Sequence, residues 1–458
     1  MELALRRKIQ ILCYCSLILA VLAFRPSRVT AQTDRADLPL PVRVVLNKAG
    51  ALINDKQYDR AIAELAAFRD RWKAPAAGEQ ADPKGYHHPE IYFALGTCRL
   101  LQQNYKAAAN DFEEAVRQDP THVGAWLNLA KASYELNDYP RAARSFGQAY
   151  DHAEKKNPEH LYYSAVAYLM ASQLRPCLSA FEKLFATHAA AIQPAWRENY
   201  VHALLTADQP RRALPHIRQL AEQYSGEKQV QWQEILLYQY LQLDMQVEAR
   251  DYAVFLTRQD PLRPKWWKAL AHVDLQAERY EPALVAMTIY SYLTPLDAQE
   301  TKLLADLNLQ LGVPVKAVPL YETALVEKTN PRLIRSLAMA LQQLGKTEEA
   351  LSALNRYAPA GRDKHPELMM LRADLLYTLE HFKEAAAAYR RVAEVDTAKA
   401  GRAWLMAGYA ALQVDDTQAG RKAFEKAATF KRHRKAARLA LRQLAKMQPK
   451  AAGGQSRI

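Results

Sequence analysis

A spacing of 34 residues constrains this chain more than any single motif does. In "GAWLNLAKASYELNDYPRAARSFGQA", residues 124–149, Trp126 and Leu129 precede the small Ala130, and Ala142, Phe146 and Ala149 follow. Thirty-four residues earlier the same places hold Tyr92, Leu95 and Gly96, then Ala108, Phe112 and Ala115, closed by Asp119-Pro120. The frame returns at Trp267, Leu270, Ala271, Tyr280 and Ala283, and again at Trp404, Gly408, Phe424 and Ala427. Apolar residues at helical intervals, little strand-type alternation and only 15 glycines make each unit helical. One helix pair cannot bury its own apolar face, so stacking neighbouring pairs must make the core. A chain of 458 residues, too long for one ordinary globular core, fits an extended stack of this kind.

The W-x2-L-G…A-x3-F-x2-A pattern of these residues resembles the tetratricopeptide repeat, over nearly the whole chain after the first 41 residues. The resemblance implies an all-α, right-handed superhelical solenoid of about eleven helix hairpins with a C-terminal capping helix. The frame places first residues at 42, 89, 123, 158, 194, 230, 264, 298, 331, 366 and 401, within a solenoid spanning 42–430. An insert near 73–88, in "KAPAAGEQADPKGYHH", separates the first two repeats. Short turns such as "LND" (136–138) and "LGK" (344–346) join the helices of a pair, and Pro120, Pro261 and Pro331 let one repeat stop and the next begin. The frame is weakest at 158, 194 and 230, where Cys177, Ala213 and Ala249 hold the small position of the second helix.

Residues 1–31 differ in kind. Arg6, Arg7 and Lys8 precede the apolar run "ILCYCSLILAVLAF", and Val29 and Ala31 have the spacing of a signal-peptidase site, with cleavage expected between Ala31 and Gln32. The alternative is an uncleaved anchor, for which this run is short against the ~20 residues a span needs. Cleavage would leave a linker at 32–41 and a soluble protein in an exported compartment, most simply a bacterial periplasm. Only Cys98 and Cys177 would remain. Two repeats separate them, far beyond the roughly 7 Å between Cα atoms that a disulfide allows, so they are expected to stay unpaired.

Three groups of residues are candidates for binding. Frame positions 2, 5, 6, 9, 12 and 13 of the first helices cluster opposite the core stripe and would line a groove. Phe93, Asn128, Lys131, Tyr134, Tyr162, Tyr238, Lys268 and His272 occupy such positions. An apolar-aromatic groove with an Asn able to bond a peptide backbone suits an extended segment or a partner helix; alternatively these residues cover one another inside a tight superhelix. Repeat proteins that bind chaperone tails use a two-carboxylate clamp of Lys and Asn, and only Asn128 and Lys131 approach it here. The second group is Trp196, Trp232 and Trp266, at the third position of consecutive repeats. Trp267, at the fourth, is expected to face the core and Trp266 its flank, either as packing or as an aromatic strip for a ligand.

The third group is basic. With residues 1–31 removed, 57 basic and 48 acidic residues remain, a net charge of +9. Residues 431–458 carry nine Lys/Arg and no acid, so they account for that whole excess. Lys435, Arg438, Arg442 and Lys446 fall on one helical face and Ala437, Leu441 and Leu444 on the other. A basic capping helix with a flexible tail would seal the last repeat; its charged face could also dock to anionic lipid or an acidic partner. Nucleic acid is a poor partner for an exported protein with a neutral body.

The sequence carries no Gly-rich phosphate loop, H-E-x-x-H, Cys cluster or G-x-S-x-G, and so implies no cofactor, metal or catalytic constellation. His87-His88 read as a solvated loop pair, and Glu113-Glu114 and Glu348-Glu349 as solvated helix faces. Longer stretches, among them "PKWWKALAHVDLQAERYEPALVAMTIYSYLTPL" and "GRAWLMAGYAAL", resemble secreted tetratricopeptide-repeat proteins of Gram-negative bacteria. Those are encoded beside the energy-transduction components TonB, ExbB and ExbD. The resemblance implies a periplasmic, protein-binding accessory of a TonB-type uptake system; it carries context and no site residue. A scaffold for envelope assembly or export, and an enzyme hidden in the solenoid, are the rival functions.

Overall fold

The computed structural model describes residues 38–72, 82, 84–327, 330–358 and 365–447. The expected signal segment with Ala31 and Gln32, most of the linker and of the insert, and the tail from 448 lie outside them. Among the described residues are twenty-three α-helices and no strand. The chain divides after Met245 into two compact units.

The first unit contains α1 (Leu40–Asn54), α2 (Tyr58–Arg69), α3 (Pro89–Leu101), α4 (Tyr105–Gln118), α5 (Val123–Glu135), α6 (Tyr139–His152), α7 (Pro158–Met170), α8 (Leu174–Thr187), α9 (Pro194–Thr206), α10 (Pro210–Gln223) and α11 (Gly226–Gln242). In the second unit are α12 (Gln246–Gln259), α13 (Pro264–Gln276), α14 (Tyr280–Leu293), α15 (Ala298–Gln310), α16 (Pro314–Glu327), α17 (Pro331–Gln343), α18 (Thr347–Tyr357), α19 (Pro366–Thr378), α20 (Phe382–Val395), α21 (Thr397–Leu412), α22 (Thr417–Thr429) and α23 (Arg434–Met447). Within each unit a helix packs on the next in sequence, and several first helices also touch the first helix of the following pair, as α1 does α3 and α17 does α19. This is the all-helical solenoid that the 34-residue frame requires.

Most first helices begin at the residue the frame assigns, but α11 and α21 begin four residues early, at Gly226 and Thr397. For α21 the cause is Asp396, whose carboxylate accepts from the backbone N–H groups of Ala398 and Lys399 and so starts an extra turn.

Every hairpin turns in the same way. The fifteenth position of each repeat has positive φ: Lys56, Gln103, Asn137, Ser172, Asp208, Asp244, Glu278, Gly312, Gly345, Glu380 and Asp415. That left-handed residue lets the chain leave one helix and enter the next after a single turn, with bonds such as Asp138 N–H to Ser133 O (2.9 Å) closing the first helix. Only two of the eleven are glycine, so the tight connection holds the others in a conformation costing ~1–2 kcal/mol each.

The small residue at position 8 and the large one at position 24 make the core of a hairpin. A Cβ on Gly96 would meet Phe112 Cε1 at 2.7 Å, and one on Gly408 would meet Phe424 Cε1 at 2.5 Å. Both rings are fully buried, as are Phe181, Ile217, Tyr321 and Tyr389 at the same position of other repeats. The chain end is also part of a core: Ala437, Ala440 and Leu444 of α23 are buried in one cluster with Trp404, Phe424 and Ala427.

Candidate protein-docking site

The first-helix face does not present the groove residues together. Phe93 is buried against Phe112 and His122, with ring centroids 5.9 and 4.7 Å away. Asn128 is fully buried. Tyr162 stacks on Trp196 of the next repeat at 4.8 Å, and its hydroxyl accepts from Asn199 Nδ2 at 2.8 Å. These three are therefore buried instead of lining open space; for Tyr162 the cause is the wide ring of Trp196, at position 3 of the next repeat, which closes over the first helix before it. Lys131, Tyr134, Tyr238 and Lys268 are half-buried and His272 is exposed. Tyr134 reaches Met170 Sδ at 3.3 Å, and Lys268 is bound to Glu300 at 2.6 Å.

The third-position tryptophans take the packing role, one of the two expected for them, whereas Trp267 departs from its expected core-facing place. Trp266 is only 2% exposed, and Trp196 and Trp232 are buried like it, so they are packing residues. Trp267 is the half-buried one; its indole N–H donates to Pro261 O at 2.8 Å, as Trp126 does to Pro120 O at 2.7 Å. The fourth-position ring thus ties a first helix back to the proline turn before it.

An open hollow lies elsewhere, on the side of the second helices. A cleft of about 600 Å³ crosses α4, α6 and α8, with α5 and α7 supplying part of its floor. Val116, Trp126, Leu129, Leu161, Tyr168 and Pro176 give it apolar surface. It exists because Ser145, Gly147, Ser179 and Ala180 are small where adjacent second helices face each other. A Cβ on Gly147 would meet only Ser164 Oγ, at 3.6 Å. Two ion pairs bridge successive repeats at the rim, Arg141–Glu113 at 2.8 Å and Lys183–Asp151 at 2.7 Å. Both are solvent-exposed, so an incoming segment can exchange them at little cost. Arg144 lines the cleft, exposed and without an acidic partner among the described residues, and can receive a carboxylate. The arrangement fits a peptide segment with apolar anchors and charged flanks. The sequence reading missed it by following the first helices; the available signal was the run of small residues at positions 22–25 of adjacent second helices.

Beyond the cleft, polar groups are buried in networks. Glu198 is held by Lys228 (2.7 Å) and Tyr224 (2.6 Å), and Asp274 by Arg250 (2.8 Å) and Arg279 (3.5 Å). Arg197, 7% exposed, lies 2.9 Å from His216 Nδ1 and over the Phe185 ring. Burial, then the Arg197 and Arg212 charges, hold His216 down at about 4, so it accepts from Arg197 as a neutral imidazole. Cys98 and Cys177 are free and buried, with thiols pushed up to about 12 by desolvation. Such thiols are poor nucleophiles and poor ligands. His88 is not merely solvated: its Nδ1 accepts from Glu90 N–H and caps α3. No group of three or more His, Cys, Asp or Glu among the described residues could hold a metal ion, and no described helix is long and apolar enough to cross a membrane.

On α23, Lys435, Arg438 and Arg442 are exposed. Lys446 lies in the last turn of the same helix, its side chain outside the described set.

The tetratricopeptide repeat family model matches residues 46–123, 93–158, 127–174, 335–394 and 370–434. No curated protein matches the sequence. Among solved structures, one of Naa15/Naa10 bound to HypK-THB aligns with 90% of this chain and 69% of its own at 14% identity and a TM-score of 0.37. A crystal structure of MamA protein aligns with 41% of this chain and 97% of its own at 15% identity and a TM-score of 0.33. For a tetratricopeptide repeat protein from Parabacteroides merdae ATCC 43184 the values are 66%, 99%, 12% and 0.29.

Proposed function

The chain belongs to the tetratricopeptide repeat family, a fold of protein-interaction scaffolds, and on that premise we propose that it is a non-enzymatic scaffold holding a partner segment in the cleft of α4, α6 and α8. The observation that carries this reading is the cleft itself: apolar surface, exchangeable ion pairs and the unengaged Arg144 in one hollow. The 1–31 pattern supports an exported, periplasmic protein, and the long-stretch resemblance supports service to a TonB-type energy-transduction system. Envelope assembly or export is the second assignment, on the same exported scaffold.

Affinity capture from detergent-solubilised envelopes tests the proposal. TonB, ExbB or ExbD among the retained proteins supports the first assignment, and outer-membrane assembly or polysaccharide-export components the second. Gly147→Phe should fill the cleft without disturbing the core, since its Cβ would make only an ordinary contact with Ser164 Oγ at 3.6 Å, and should reduce capture at least tenfold. Equal capture by this variant removes the cleft from the proposal. Mass spectrometry of the same fraction reads the N-terminus: Gln32 is expected, and an intact Met1 contradicts cleavage.

A further inference from the structure

The apolar side of α23 packs on the core, while its opposite side is exposed. Ala437, Ala440 and Leu444 are buried against the cluster of Phe424 and Ala427, with Leu441 half-buried beside them. On the other side Lys435, Arg438 and Arg442 project into solvent, and none has an acidic partner among the described residues. Lys431 and Arg432, in the turn before α23, are likewise exposed. No Asp or Glu follows Glu425 in the sequence to moderate this field. At the edge of the basic side sits Leu439, 58% exposed. It stands four residues after Lys435, one after Arg438 and three before Arg442, so helical geometry groups all four.

We propose that this face docks the protein on an anionic lipid bilayer. The chemistry distinguishes a bilayer from other acidic surfaces. Cations along one side of a helix need only a sheet of negative headgroups, with no register to match. An exposed leucine beside them has a place in the headgroup–acyl boundary, whereas against a purely ionic partner it would be dehydrated for no apolar contact. The capping contacts and the docking face use different residues, so docking leaves the fold of α21–α23 unchanged. The proposal is independent of the cleft, which lies in the other unit.

The test is co-sedimentation of protein purified from cells expressing the full-length gene, with vesicles of phosphatidylglycerol and phosphatidylcholine or of phosphatidylcholine alone. Because every variant shares the same N-terminus, only differences between variants are read. Wild type should bind the anionic vesicles and release them in high salt. Lys435→Gln/Arg438→Gln/Arg442→Gln should bind about 100-fold more weakly, each basic residue near an anionic surface contributing about fivefold. Its circular dichroism melt should match wild type, because the three side chains are exposed. Leu439→Gln keeps every charge and should still weaken vesicle binding severalfold. Vesicle binding unchanged in the triple variant overturns the proposal. So does retention on poly-glutamate with no vesicle binding, which would assign the face to an acidic protein, and so does an unaltered Leu439→Gln, which would leave no role for the bilayer interior.

Discussion

Two stretches of this chain build the same hairpin by different means. In residues 46–174 and 335–434, where the family model matches, a small residue admits a buried ring: Gly96 faces Phe112, and Gly408 faces Phe424. Between them, where the family model does not match, the buried polar groups are Arg197, Glu198, Asn199, Gln233, Asp274, Glu300 and Asn308 among others, while the flanking stretches bury Glu90, Asp111, Asn128 and Arg372. Yet the left-handed fifteenth residue is present throughout, at Asp208, Asp244, Glu278 and Gly312 as at Asn137 and Glu380. Turn geometry therefore defines the repeat, and the core chemistry is replaceable. In the middle, buried ion pairs such as Arg250–Asp274 (2.8 Å) add to the ring packing of Trp232, Trp266 and Tyr321; in the flanking repeats a ring set against glycine, as at Gly96 and Gly408, is the distinctive contact. Glu300 illustrates the exchange. It holds the third position, tryptophan in the three preceding repeats, and is satisfied by Lys268 (2.6 Å), Tyr290 (2.9 Å) and the Asp297 N–H (2.9 Å).

The difference predicts unequal responses to substitution. Phe424→Ala should cost about 3–5 kcal/mol, as ring deletion from a tight core does. Because solenoid coupling is mostly between neighbours, amide exchange should accelerate in α21–α23 first; uniform acceleration along the chain would contradict the local account. Asp274→Ala should cost less, about 2 kcal/mol. It strands Arg250 and Arg279, but both are partly solvent-exposed and can turn to water. A loss equal to that of Phe424→Ala in chemical denaturation would mean that the polar networks are as rigid as the ring cores.

Acid should act on the middle repeats preferentially. His216 is held at about 4 in the folded chain, against about 6.5 unfolded. Its folded value is depressed, so the unfolded chain takes up its proton first as pH falls. The neutral imidazole's contribution is complete above pH 6.5 and is lost progressively toward pH 4. The melting temperature of wild type should therefore fall more than that of His216→Gln over this interval; parallel curves would exclude the His216–Arg197 contact as a contributor.

Smaller effects come from the turns and the surface. Glu380→Gly should stabilise by about 0.5–1 kcal/mol by relieving positive φ, and Gly345→Ala should destabilise by about 1 kcal/mol. Arg141→Gln breaks an exposed ion pair and should change stability by less than about 0.5 kcal/mol, which thermal melting can bound.

The sequence made the repeat legible because packing at positions 8 and 24 needs a small residue facing a large one, and that leaves a 34-residue signature. It also revealed the amphipathic α23, whose Ala437 and Leu444 are buried as the pattern implied. The early starts of α11 and α21 were hidden, since a lone Ser225 or Asp396 does not announce a helix cap. Which of the two alternatives held for Phe93, Asn128 and Tyr162, an open groove or mutual cover, was hidden for a related reason. Periodicity tells which side of a helix is apolar, but not whether the next repeat covers it, and Trp196 covers Tyr162. The cleft escaped because absence of side-chain volume, at Ser145, Gly147, Ser179 and Ala180, has no hydrophobic signature.

Whether this chain grips a partner through its second helices is the central question, and site-specific photocrosslinking in living cells answers it most directly. A photoreactive residue at Ser179, in the cleft, should capture a defined partner, and Gly147→Phe in the same chain should abolish that adduct. The same photoreactive residue at Lys131, on the first-helix side, should capture none. An adduct from Lys131 with none from Ser179 would place docking on the first helices and contradict the account.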